Sequence, residues 1–180
     1  MDRRARWAAL ALAATGAISY ANVVSAPAVL DDAATLFENQ HIRQLWHPAV
    51  LFPDRELPVA GRPIVNLSFA LDYAVHGFDL AGYRIVNIAI HLLCALVACA
   101  LIQRSLERFG AGWRRRGSAF MLAFAATLLW VAHPLNSEVI GYLTQRTESL
   151  MALFYLLTMY VSMRALDAPV GVIRFRGQLV

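Results

Sequence analysis

The chain has 180 residues, 59% of them hydrophobic and 16% charged, with a mean hydropathy of +0.52. A soluble domain averages about 45–50% apolar and about 25% charged residues. These values exclude a disordered chain, a disulfide-rich secreted domain and an ordinary soluble enzyme, and they point to a membrane protein. The net charge is +4 and all 16 basic residues are Arg; their placement argues for membrane orientation rather than nucleic acid binding.

A membrane-crossing helix needs about 20 mostly apolar residues. The first such run, uncharged from Trp7 to Leu30, predicts a span near 7–25. Arg3, Arg4 and Arg6 before it and Ala26-Pro27-Ala28 after it also resemble a secretory signal, but the apolar run exceeds the usual core of about 7–15 residues. Asp31-Asp32 follows at the surface. Adjacent carboxylates can bind a divalent cation, or one can serve as a general base. Asp32 can equally cap the next helix, and spacing alone leaves these readings open.

Residues 26–82 are too long for a connector, since structureless loops above about 12–15 residues are uncommon. Leu36, Phe37, Trp46, Phe52, Phe69 and Tyr73 give the segment the composition of an ordered one. A short helix is expected near 32–45, then an irregular stretch through 63, then a helix near 64–76. In the latter Val65, Phe69, Asp72 and Tyr73 recur at helical spacing.

The second span is placed near 84–103. Asn87, His91 and Cys94 lie at i, i+4 and i+7 there and suit hydrogen bonds to a neighbouring helix. Cys94 and Cys99, five apart, suit neither a CxxC pair nor a zinc site. An Arg-bearing loop, 104–117, leads to a third span near 118–135, and a fourth is placed near 145–165. Just before the fourth, Glu138, Tyr142, Arg146 and Ser149 form one polar stripe if the helix is continuous. Arg146 can hold a phosphate through its planar fork of donors, or pair with Glu138 along the helix.

The expected architecture is therefore an all-α membrane protein: one membrane domain over 1–180, four transmembrane helices, and a long outward loop carrying short helices. Arg residues mark the cytoplasmic side. Eleven of the sixteen fall in the N-terminal tail, the 104–117 loop and the C-terminal tail, whereas residues 26–82 and 136–147 hold most of the acids. This orientation puts the N-terminus in the cytoplasm of a multi-pass protein of the inner (plasma) membrane. No phosphate loop, dinucleotide turn, GxSxG elbow, HExxH or 34-residue repeat is present, so soluble-type catalysis has no support.

The order of motifs carries a resemblance. The acidic pair is followed by Glu38-Asn39-Gln40-His41-Ile42-Arg43 and Gly61-Arg62-Pro63-Ile64-Val65-Asn66-Leu67-Ser68. Next come Gly82-Tyr83-Arg84-Ile85-Val86-Asn87 and Ile90-His91-Leu92-Leu93, then His133-Pro134 through Glu148 and Leu153-Phe154-Tyr155-Leu156-Leu157. Together, over nearly all of 18–166, this resembles the start of bacterial multi-spanning proteins that carry tetratricopeptide repeats after a membrane domain. They are similar to the transmembrane O-mannosyltransferases of the GT-C glycosyltransferase superfamily.

The resemblance implies a sugar on a polyprenyl or dolichyl phosphate as donor, chemistry on the outer face, and a protein or glycan hydroxyl as acceptor. It implies a catalytic carboxylate at Asp31 or Asp32. Arg62 and Arg146 are then candidates for the departing phosphate, with Glu138 orienting Arg146 and His133 in support. No cofactor is implied beyond the cation that the acidic pair can bind. Such enzymes have about twice as many spans or more, so this chain is expected to be the N-terminal part of a larger domain and inactive alone. A non-catalytic membrane scaffold and a small transporter subunit are the competing readings.

The Arg asymmetry makes a prediction. With Cys94 and Cys99 replaced by Ala, a single cysteine at position 54 should react with an impermeant maleimide on intact cells. One at position 112 should react only after permeabilisation, and the reverse pattern would overturn the orientation.

Overall fold

A computed structural model describes residues 3–109 and 116–167. The structure is helical: α1 (Arg3–Tyr20), α2 (Pro63–His76), α3 (Leu80–Phe109), α4 (Arg116–Val131), α5 (Asn136–Gly141) and α6 (Arg146–Asp167). Part of the 104–117 loop, with Arg114 and Arg115, and the C-terminal tail, with Arg174 and Arg176, lie outside the described residues.

Three segments are long and apolar enough to cross a membrane: Arg3–Ser25, Leu80–Phe109 and Leu143–Asp167. The expectation of four is met only in part. The helix α4 has 16 residues, about 24 Å at 1.5 Å per residue, which is short of a hydrocarbon core of about 30 Å. The α3 helix is longer than the expected 84–103, beginning at Leu80 and running on through a polar turn with Arg104, Glu107 and Arg108 to Phe109.

Helices α1, α4 and α6 all pack on α3. At Gly16 a Cβ would meet Leu92 of α3, so glycine lets the two helices approach closely. Leu12, Ala95 and Val131 form the buried seam between α1, α3 and α4. At one end of the bundle Arg104 Nε bonds Asp167 Oδ2 at 2.9 Å, and Arg108 also binds Asp167. The opposite end carries residues 26–82 and is called the loop end below.

The 26–82 segment is ordered around its own core of Leu36, Ile42, Val50, Val59, Val65 and Phe69, closed by Tyr83 and Leu143. The expected helix over 32–45 is instead a π-helical turn, Ala33–Glu38, and a 3-10 turn, Gln40–Arg43. Asn39 breaks it. Its backbone is extended, its Oδ1 accepts from His41 N at 3.1 Å, and its Nδ2 donates to Asn66 Oδ1 at 2.7 Å. Asn66 in turn donates to Val50 O at 2.6 Å, which ties the irregular stretch to α2. That helix starts at Pro63, whose missing N–H costs nothing at a first helical position, and stops at Gly77 with φ 58°.

The continuous helix through Glu138 and Arg146 on which the polar stripe depends is not formed. Tyr142 is extended (φ −86°, ψ 106°), a 3-10 turn follows over Leu143–Gln145, and α6 begins at Arg146. The Glu138–Arg146 stripe therefore does not exist as one helix face.

The break aims Arg146 into the protein, where it is fully buried. Its Nη1 lies 2.6 Å from Asp72 Oδ2 and 3.3 Å from Ser68 Oγ, both on α2. Its Nε donates to Asn87 Oδ1 at 2.7 Å and its Nη2 to Tyr83 O at 2.9 Å, both on α3. The guanidinium also sits 4.3 Å over the Phe69 ring, a favourable cation–π placement. Burial pushes the Asp72 carboxyl above its ordinary range, and the Arg146 charge opposes that shift.

Removing one partner of such a pair strands the other charge. Arg146→Met should therefore lower stability by about 3–5 kcal/mol, and adding Asp72→Leu should recover most of the loss. Denaturant unfolding in detergent measures both. The single variant should also lose stability as pH rises above the ordinary carboxylate range. A carboxyl held above its unfolded value keeps a proton that the unfolded chain has released, so stability falls as pH rises through the folded value.

Candidate functional site

The acidic pair follows an unusual turn. Leu30 has φ 48°, a left-handed conformation that costs a branched residue free energy and often marks functional sites. Asp32 N donates to Val29 O at 3.0 Å, and Val29 N donates back to Asp32 Oδ2 at 3.2 Å. This closed turn sends the two carboxylates to different partners.

Asp32 is fully buried. Its Oδ1 accepts from Thr144 N at 3.0 Å and Thr144 Oγ1 at 3.1 Å, and Thr144 Oγ1 lies 2.9 Å from Thr35 Oγ1. It makes no side-chain bond to the helical turn that follows, so the capping alternative does not describe it. Asp31 is exposed, and its Oδ2 accepts from Tyr142 OH at 2.8 Å. Burial and the Asp31 carboxylate both push the Tyr142 hydroxyl above its ordinary value, which keeps it a hydrogen-bond donor.

The acidic pair therefore meets the 142–146 segment, but through Tyr142 and Thr144 rather than through Arg146. Arg146 is enclosed by Asp72, Ser68, Asn87 and Tyr83 and presents no free face to a phosphate. Its carboxylate partner is Asp72, not Glu138; the extended Tyr142 separates Glu138 on α5 from Arg146 on α6. Glu138 is exposed. His133 is exposed too, and its Nδ1 accepts from Leu135 N at 3.3 Å, a local turn contact.

Arg62 stands apart at the start of α2, exposed, with Nη1 donating to Pro58 O at 2.7 Å. It borders a groove of about 330 Å³ whose walls include Ile64, Met151 and Phe154, with Thr147 and Glu148 beside it. Among the described residues no three His, Cys, Asp or Glu side chains gather to hold a metal, and the divergent acidic pair does not fit a shared divalent cation.

Two participants escaped sequence reasoning. Tyr142 reads as one member of a stripe, and only the helix break turns it toward Asp31. Arg84 reads as a flank of the second span, yet it is fully buried and donates to Pro27 O at 2.7 Å and Val24 O at 3.5 Å. Its guanidinium lies within Coulombic reach of Asp32. The available signal was its place at the boundary between a polar loop and an apolar run.

The chain is similar to proteins named protein O-mannosyl-transferases. It is 27% identical over 158 residues to F38B6.6 of Caenorhabditis elegans, covering 82% of this chain and 21% of that protein. It is 26% identical over 165 residues to TMTC4 of Mus musculus (84% and 22%), and 27% identical over 163 residues to TMTC2 of Homo sapiens (84% and 18%). The chain thus spans about a fifth of the length of these curated relatives. No protein-family profile matches it, and no solved structure does. Apolar helices and these relatives together mark a membrane protein related to glycosyltransferases.

The two acids should separate by stability. Asp32→Ala strands the amide groups of Thr144 and Val29 and should cost about 1–3 kcal/mol. Asp31→Ala, at an exposed carboxylate, should stay within about 0.5 kcal/mol. Thermal unfolding in detergent distinguishes them, and equal losses would contradict this division.

Proposed function

We propose that this chain is the N-terminal, acid-bearing portion of a GT-C-type glycosyltransferase that moves a mannose from a polyprenyl-phosphate donor to a protein hydroxyl. The observation that carries the reading is an accessible carboxylate, Asp31, oriented by Tyr142 at the loop end of an apolar bundle. The relatives' printed activity supplies the sugar and the acceptor class.

Asp31 takes the proton of the acceptor hydroxyl as its oxygen forms the bond to the anomeric carbon. The bond from that carbon to the phosphate oxygen breaks, and the lipid phosphate leaves with the electron pair. Asp32, buried behind it, positions the turn. Arg62, charged and exposed beside an apolar groove, has the make-up of a holder for a lipid-borne phosphate. Arg146 acts through the fold rather than on the donor, with Glu138 and His133 at the rim.

On this reading α4 completes a fourth span. The loop end faces outward from the plasma membrane, with the N-terminus cytoplasmic, and the larger domain carries further spans and tetratricopeptide repeats. A scaffold without catalysis is the second reading, favoured by the burial of Arg146.

The test is an exchange of these residues for the matching segment of the mouse relative, assayed for mannose transfer from a polyprenyl-phosphate donor to a Ser/Thr-rich peptide. Asp31→Asn should lower transfer by about 10²–10⁴-fold, the usual contribution of a general base, with the stability of the exchanged protein unchanged. Full activity in both Asp31→Asn and Asp32→Asn variants would overturn the catalytic role of the acidic pair.

A further inference from the structure

Helix α2 is apolar on both of its sides. Val65, Phe69 and Ala70 are buried in the core at the loop end, and Asp72 beside them is held by Arg146. On the opposite side Ile64, Leu71 and Val75 are 56%, 50% and 74% exposed. Leu71 and Val75 follow Ile64 by 7 and 11 positions. At about 100° per residue the three side chains fall within about 40° of one another and form a single stripe. Half-buried Leu67 flanks it. Its polar neighbour Ser68 is already bonded to Val65 O and to Arg146. No charged side chain of α2 lies on the stripe, so in water it would be a continuous apolar strip, and such strips mark a surface that meets a partner or a membrane.

The neighbouring helix indicates which of these covers it. The groove of about 330 Å³ bordered by Arg62 brings Pro63 and Ile64 of α2 against Met151 and Phe154 of α6. Met151 and Phe154 are exposed, and they belong to Leu143–Asp167, a segment long and apolar enough to cross a membrane. Side chains exposed on a spanning helix meet acyl chains. The acyl chains that reach Met151 and Phe154 therefore also reach Ile64, and the stripe continues that surface along α2.

Size and chemistry agree with a fluid partner. Four partly exposed side chains on one short helix offer far less than the about 800 Å² per partner that a stable protein interface buries. They also carry no donor, acceptor or charge to orient a protein partner. Lipid needs neither area nor shape complementarity. A helix in the plane of the interface sinks its apolar side about 5–10 Å into the boundary between head groups and acyl chains.

We propose that the Ile64–Leu71–Val75 face of α2 lies in the lipid of the membrane leaflet at the loop end, continuous with the lipid around α6. Because Arg146 ties α2 to α3 and α6, this contact fixes the depth at which the loop end sits on the membrane. The inference does not depend on glycosyl transfer.

The test uses the full chain in phosphatidylcholine nanodiscs, one molecule per disc. A phosphatidylcholine with a diazirine in the acyl chain close to its head group should label Ile64, Leu71 and Val75 at least about fivefold more than the exposed Arg55 and Glu56, as expected of side chains below the head groups. This measurement needs no substitution. A second one reads depth in the Cys94→Ala, Cys99→Ala background. A fluorophore on Leu71→Cys or Val75→Cys should be quenched by a phosphatidylcholine with a nitroxide near its head group and be insensitive to aqueous iodide. One on Arg55→Cys should show the reverse, and circular dichroism reports folding. Lipid labelling of the stripe no greater than that of Arg55 and Glu56 would overturn the proposal, as would equal access of iodide to positions 71, 75 and 55. Quenching of positions 71 and 75 by neither agent would place protein over the stripe and would overturn it too.

Discussion

The buried guanidinium of Arg146 is the constraint on which the loop end of this molecule rests. It joins Asp72 and Ser68 of α2 to Asn87 and Tyr83 of α3 from the first turn of α6. A charge in such a place requires partners on most of its donors, because the cost of removing it from water is several kcal/mol. That requirement links three helices at one point. It also explains the extended residue Tyr142: without a break between α5 and α6, Arg146 would point along the Glu138 face instead of into the core.

The position of the acidic pair follows from the same break. Tyr142 and Thr144 occupy the irregular segment between α5 and α6, and they are the residues that hold Asp31 and Asp32. Two adjacent residues of identical chemistry thereby take different roles. Asp32 gives both oxygens to internal donors and joins the fold, whereas Asp31 keeps an exposed carboxylate with one oriented hydrogen bond. On the proposed reading Asp31 is the carboxylate offered to a reactant, and Asp32 is its internal anchor.

The two ends of the bundle differ in how they handle charge. At the loop end Arg84 and Arg146 are buried and committed to backbone and side-chain oxygens. At the other end Arg104 and Arg108 share Asp167 at a partly solvated surface, where an ion pair contributes little to stability. Between them His91 of α3 is buried, stacked on Trp130 and edge-on to Tyr20. Polar groups at that depth are expensive unless a partner helix satisfies them, as Arg146 of α6 does for Asn87, one turn above.

Hydropathy alone located the apolar segments, because a run of uncharged residues has no comparably favourable place in water. The acidic pair, the apolar character of 26–82 and the helix over 64–76 were legible for the same local reasons: residue type, spacing and Pro63 with Gly77 as its limits. Helix breaks were not legible. Asn39 and Tyr142 stop helices through bonds to residues far along the chain, and the periodicity of the surrounding residues continues through them. Nor could spacing say that Arg146 pairs with Asp72, 74 positions away, rather than with Glu138 eight residues before it. Local sequence determines which groups must be hidden from lipid or water. Only the packing of α2, α3 and α6 decides which partners hide them, because a buried charge is satisfied by whatever the tertiary fold brings within hydrogen-bond distance.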